Sequence, residues 1–121
     1  MKTIKLLFAI LFVLATFQSA TAQSDKTQRS IGIKTENIKV SGTCSMDKRR
    51  IETASYAVEG VQSAVWNMYS QTLVIIYSVF KKDATDIVQK RIASVGNDTE
   101  KYRADDAIYQ ELPDCCHYQR K

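Results

Sequence analysis

The run Leu73-Val74-Ile75-Ile76-Tyr77 constrains the fold more than any other stretch of the chain. Five consecutive apolar residues without polar alternation present apolar side chains on both faces, which suits a central strand. Val61 to Met68 and Thr72 to Phe80 are both rich in Val, Ile, Tyr and Trp, and only Tyr69-Ser70-Gln71 separates them. Two such runs across a short polar gap predict a β-hairpin.

Helical patterns flank the hairpin. From Ser45 to Val58, Ile51, Ala54, Ser55 and Val58 recur at spacings of three and four, with Ser45 as a predicted N-cap and Gly60 as a C-terminal stop. After the hairpin, Ala84, Val88, Ile92 and Val95 repeat the pattern. Asp83 is the predicted cap of that helix, Asp86 stands in a box-like position, and Gly96-Asn97 suits its left-handed exit. Glu36 to Val40 alternates as a first strand through Ile38 and Val40, and Thr99 to Ala104 is a short fourth one. The order βαββαβ predicts an α+β fold, the ferredoxin-like split β-α-β sandwich with both helices on one face of a four-stranded antiparallel sheet. A short extra C-terminal helix over Asp105 to Leu112, stopped by Pro113, and a Cys-Cys-His tail complete the chain.

The first 22 residues have the three parts of a cleavable secretory signal peptide. Lys2 and Lys5 are basic, Leu6 to Phe17 is almost continuously apolar, and Ser19-Ala20-Thr21-Ala22 offers small residues before Gln23. The apolar run is shorter than the roughly 20 residues a membrane-spanning helix needs, although an uncleaved anchor is the competing reading. Residues 23–35 read as a flexible leader, 36–104 as the domain, and 105–121 as the C-terminal helix and tail. Cleavage leaves 99 residues with 15 Lys and Arg against 13 Asp and Glu, a net charge of +2. So small a charge argues against nucleic acid and anionic membrane as partners. The expected location is periplasmic or secreted, with no membrane insertion after cleavage. All three cysteines (Cys44, Cys115, Cys116) lie in the exported part. An odd count in an oxidising compartment asks for a metal, a redox role or an intermolecular bridge.

The segment Val40-Ser41-Gly42-Thr43-Cys44-Ser45-Met46-Asp47, followed by Arg50-Ile51-Glu52, resembles the metal loop of heavy-metal-associated domains. The further run Val58-Glu59-Gly60-Val61-Gln62-Ser63-Ala64 resembles that family's helix exit and second strand. The resemblance covers about Asn37 to Ala104 and implies the same ferredoxin-like fold. Members act as copper chaperones, as metal-binding modules of copper and zinc pumps, and as periplasmic mercury-binding proteins. An exported, free-standing chain is most similar to the last group, and the Cys-Cys-His tail resembles small exported members.

The family's loop carries Cys-x-x-Cys at a helix N-terminus, where the dipole and free N–H groups favour thiolates. Soft sulfur then selects Cu(I), Zn(II) or Hg(II) over hard cations. Here Cys44 matches the first cysteine, Asp47 replaces the second, and Gly42 stands where the family commonly has Met. Carboxylate oxygen can hold Zn(II) but is a poor partner for Cu(I) or Hg(II).

The tail offers replacement ligands. A six-residue fourth strand carries the chain about 20 Å away from the loop, and the extra helix returns it by about 12 Å. Cys115, Cys116 or His117 can thus come back toward Cys44. A set of Cys44, Cys115, Cys116 and His117, with Asp47 as a weaker fifth, has a zinc-like composition. Adjacent cysteines are awkward as joint ligands, which favours two or three of the first four. The opposing reading is a bridge from Cys44 to Cys115 or Cys116 that staples down the tail. His117 is either a ligand or a solvated histidine, and Met46 is either a weak thioether ligand or packing beneath the first helix.

Other features have plain explanations. Lys48-Arg49-Arg50 is a solvated helix face or a docking patch for an acidic partner. Trp66 and Tyr69 pack on the sheet or form a recognition patch. Asn97-Asp98-Thr99 fits a glycosylation acceptor. A Gly-rich phosphate loop, a second histidine and a nucleophile with a base are all absent from the sequence, so no enzyme is expected. The expected function is carriage or sequestration of a heavy-metal ion, Cu(I) or Zn(II), in exchange with a membrane metal transporter or another metal-binding protein. A degenerate domain serving as a protein-interaction module with structural cysteines, and a small thiol-redox protein, are the alternatives.

Overall fold

The structure, a computed structural model, describes residues 32–121. The signal peptide and residues 23–31 of the leader lie outside the described residues. Three strands form one antiparallel sheet: β1 (Ile33–Lys39), β2 (Val61–Asn67) and β3 (Thr72–Ser78), in the order β1-β3-β2. Helices α1 (Ser45–Tyr56) and α2 (Ala84–Ser94) cover one face, followed by a short α3 (Asp106–Gln110) and a 3-10 turn at Asp114–Cys116. The chain has the expected α+β, ferredoxin-like architecture.

β3 is central, as its run of apolar residues predicts, but among the described residues the helices cover only one face of the sheet. Leu73, Ile75 and Tyr77 are buried beneath the helices, whereas Val74 and its cross-strand partner Val65 on β2 are exposed. The core joins this inner face to Ile38, Val40, Ile51, Val58, Val88 and Ile92. The two helical stripes therefore point where their periodicity places them. Trp66 is buried and its indole N–H donates to the Val40 carbonyl at 3.0 Å, while Tyr69 at the hairpin tip stands in solvent.

Several local expectations are corrected. β1 starts at Ile33, before the predicted Glu36, because Ile33, Lys34 and Thr35 pair with Ser78, Tyr77 and Ile76 along the full length of β3. Cys44, and not Ser45, is the N-cap of α1. Asp83 makes no side-chain cap bond. Asp86 turns to Lys101 (2.7 Å), Lys90 (3.1 Å) and the Tyr102 hydroxyl (2.6 Å), which hold its carboxyl far below the usual range.

The largest departure is the fourth strand. Thr99 to Ala104 makes a single antiparallel bridge, Val40 to Thr99, and then curls on itself. The Thr99 amide donates to the Tyr102 carbonyl (2.8 Å) and the Ala104 amide to the Asp98 carboxylate (2.7 Å). Once Asp98 and Thr99 satisfy those backbone groups locally, a ladder with β1 has no partners left to use. The chain thus stays near the loop end of the sheet, and the tail needs no long return path.

Candidate metal centre

Cys44 ends the loop that follows Val40. That loop is held from both sides. Gln71, in the left-handed region at φ 55° in the hairpin turn, accepts from the Gly42 amide (2.8 Å) and donates to the Gly42 carbonyl (2.7 Å). A β-carbon at Gly42 would lie 2.8 Å from the Trp66 ring, so only glycine lets the loop lie this close to the sheet. Cys44 then caps α1: its Sγ accepts the Asp47 amide at 3.4 Å.

Asp47, where the family's second cysteine would stand, is fully buried. It accepts from the Thr43 amide (2.8 Å), Arg50 Nη1 (2.6 Å) and Asn97 Nδ2 (2.9 Å). Its Oδ2 also lies 3.6 Å from Cys44 Sγ. These three donors, with the Cys44 thiol beside them, make the carboxylate an anchor of the loop, tying it to α1 and to the exit of α2. Asn97 is equally buried and gives its second amide hydrogen to the Ser41 carbonyl at 2.9 Å. With both of its amide hydrogens engaged in the interior, the glycosylation reading of Asn97 does not fit the folded chain.

The tail reaches the loop. Cys44, Cys115 and Cys116 bring their sulfurs within 4.8 Å of one another. Cys116 Sγ is 2.7 Å from Cys44 Sγ, and Cys115 Sγ is 3.7 Å from Cys116 and 4.0 Å from Cys44. All three are free thiols. The 3-10 turn lets adjacent cysteines face the same point, so the awkwardness expected of neighbouring ligands does not arise. Cys116 is buried and Cys115 is exposed, with the Thr43 hydroxyl donating to the Cys115 carbonyl at 3.3 Å.

The other predicted ligands stand apart from this cluster. His117 turns away, its Nε2 3.1 Å from the Tyr109 carbonyl and its ring against Tyr109. Asp47 is committed to its own partners. Met46 neither packs beneath α1 nor faces away: it is 47% exposed, with Sδ 3.7 Å from Cys115 Sγ.

The residues that dock the tail carry little sequence signal. Tyr118 is buried, its hydroxyl donating to the Gly96 carbonyl (2.7 Å) and accepting the Asp98 amide (2.8 Å). Burial pushes its phenol well above the ordinary range. Arg120 grips Asp98 through Nε (2.8 Å) and Nη2 (2.7 Å), donates to the Ala104 carbonyl and Asp106, and lies over the Tyr109 ring. Burial alone would raise the Asp98 pKa, but the Arg120 hydrogen bonds and the Ala104 amide hold it below its ordinary value. Leu112, Cys116 and Tyr118 form a small apolar core of their own, joined by Cys44 and Tyr109. A spacing of Tyr109, Leu112, Cys116 and Tyr118 in an otherwise polar tail was the available signal.

The cluster fits a thiophilic ion. With sulfur about 2.3 Å from a tetrahedral metal, neighbouring sulfurs sit about 3.8 Å apart. The separations of 3.7 and 4.0 Å meet that requirement, and the 2.7 Å pair opens by about 1 Å to meet it. Arg50 Nη2, 3.9 Å from Cys116 Sγ, offsets part of the negative charge of thiolates. In the ion-free cluster, burial and the Cys116 thiol push the Cys44 pKa up, and the Asp47 carboxylate adds to this, against the pull of the Asp47 and Met46 amides. An incoming cation must displace its proton.

No protein-family model and no curated protein matches the sequence. Among solved structures, a CopZ metallochaperone matches 55% of this chain and 98% of its own length, at 27% identity and a TM-score of 0.51. The water-soluble region of the P-type ATPase CopA from Bacillus subtilis matches 55% of this chain at 30% identity and a TM-score of 0.47, and this chain spans 44% of that structure. The likeness to the metallochaperone, together with the sheet and helices described above, shows a fold like that of heavy-metal-associated domains.

Proposed function

We propose that this chain is an exported, non-enzymatic carrier of a soft metal ion, with Cu(I) as its preferred cargo and Cys44, Cys115 and Cys116 as its ligands. The observation that carries the reading is the convergence of the Cys44 sulfur with those of Cys115 and Cys116, more than 70 positions away. The likeness to a CopZ metallochaperone supports carriage as the use of such a cluster. Three thiolates with an exposed side suit a transferable ion: Cys116 and Cys44 retain it while Cys115 faces solvent, open to a thiolate of the recipient. The recipient would be a membrane metal transporter or another metal-binding protein, and the location periplasmic or secreted.

The test is a Cu(I) titration of the reduced chain from Gln23 onward against a chromophoric chelator. Stoichiometric uptake in the wild type and its loss in Cys44→Ser are expected. Equal uptake by wild type and variant would sink the reading.

The short Cys44–Cys116 approach favours a second reading, a bridge between them that fixes the tail and leaves Cys115 free. Counting free thiols in chain isolated without reductant separates the two. Three accessible thiols after unfolding favour the carrier, and one favours the bridge.

A further inference from the structure

Among the described residues, Met46 is the one sulfur in contact with the cluster that has no role in it. It lies in the first turn of α1, two residues after Cys44, and it is half exposed. Its Sδ is 3.7 Å from Cys115 Sγ, the same separation as between the two tail thiols. That spacing is close to the roughly 3.8 Å edge of a tetrahedral sulfur site. Every other candidate for a fourth position is engaged: Asp47 holds three donors, and His117 lies against Tyr109.

We propose that Met46 supplies the fourth donor, completing a site of three thiolates and one thioether whose neutral sulfur sets its choice of metal. The inference rests on the carrier reading above and goes beyond it by naming the residue that discriminates between metals. A thioether is a soft, uncharged donor, favourable to Cu(I) and of little use to Zn(II), which draws its affinity from thiolate, imidazole and carboxylate. Three flexible torsions let the Met46 side chain follow the ion as the Cys44–Cys116 pair opens around it. As the weakest donor, and an exposed one, Met46 is also the ligand a recipient's thiolate displaces first.

The experiment compares wild type with Met46→Leu, a near-isosteric change at an exposed site. Cu(I) and Zn(II) affinities are each measured by chelator competition. Sulfur coordination of bound Cu(I) is read by X-ray absorption. Loss of one weak soft donor lowers Cu(I) affinity about tenfold and leaves Zn(II) affinity unchanged. The sulfur count falls from four to three, and thermal unfolding of the ion-free chain does not move. An unchanged Cu(I) to Zn(II) ratio, or a wild-type count of three, overturns the role of Met46 while leaving the carrier reading intact. A wild-type chain that takes up neither ion overturns both.

Discussion

The loop and the tail bring sulfur to the same point by opposite means. Cys44 is placed by its neighbours: it caps α1, Gly42 lies against Trp66, and Asp47, three residues on, ties the loop to Arg50 and Asn97. Cys115 and Cys116 are placed by contacts made at long sequence range, through Tyr118 on Gly96 and Asp98, and Arg120 on Asp98. The loop is therefore tied to the main core where it leaves Val40, with Cys44 itself packed against the small core of the docked tail. Local unfolding energies differ between such units, and the difference is measurable.

The largest effect should come from the tail's sulfur. The double variant Cys115→Ser/Cys116→Ser strips two of three thiolates. Its Cu(I) affinity should fall by more than about 100-fold, the most that losing a partner of a ligand usually costs. Chelator competition measures this, and an affinity within tenfold of wild type would show that the loop suffices.

Next is the loop's anchor. Asp47→Ala leaves the Arg50 guanidinium and the buried Asn97 amide without their acceptor, a loss of about 3 kcal/mol in urea unfolding. Arg120→Ala should cost about 2 kcal/mol or less, since the Arg120–Asp98 pair keeps some contact with solvent. That cost should appear as faster alkylation of Cys116 with the urea midpoint of the main domain nearly unmoved. Equal shifts in both measurements would mean that loop and tail open as one unit.

The smallest effects are a deleted hydroxyl and a mild acid shift. Tyr118→Phe removes the bridge between Gly96 and Asp98 and should cost about 1 kcal/mol of tail docking. Because the folded Asp98 carboxyl titrates below its ordinary value of 3.8, its stabilising contribution is complete above that pH. It is lost as pH falls through the lower, folded value. Amide exchange in residues 114–120 should accelerate below about pH 3.8 before the sheet responds. A tail unaffected by acid while the sheet opens would reverse the order of stability drawn above.

How far the sequence revealed this molecule follows from the range of the contacts. Helical stripes, the hairpin and the central place of β3 are local or nearest-neighbour properties, and residues such as Ile51, Val88 and Ile75 declare them. The fourth strand failed because Asp98 and Thr99 capture the backbone locally, which a strand-forming composition does not disclose. In the site, Cys44 was legible from its loop. The arrival of Cys115 and Cys116 was legible only as a possibility, since Tyr118 and Arg120 look like ordinary tail residues. Asp47 was read as a weak ligand because a carboxylate three residues after a cysteine invites it. Its burial beneath Arg50 and Asn97 depends on the exit of α2, some 50 residues away.

With the three cysteines reduced, as the carrier reading requires, release of the tail takes on a different meaning. Ala104 is fixed by Asp98, and Cys115 lies 11 residues beyond it. A segment of that length reaches no more than about 40 Å even fully extended, which keeps its thiols near the loop at an effective concentration on the order of millimolar. Undocking would therefore not discard the two sulfurs. It would convert a preorganised pocket into a tethered chelator, lowering affinity in a graded way and making the grip on the ion adjustable through the tail's own packing.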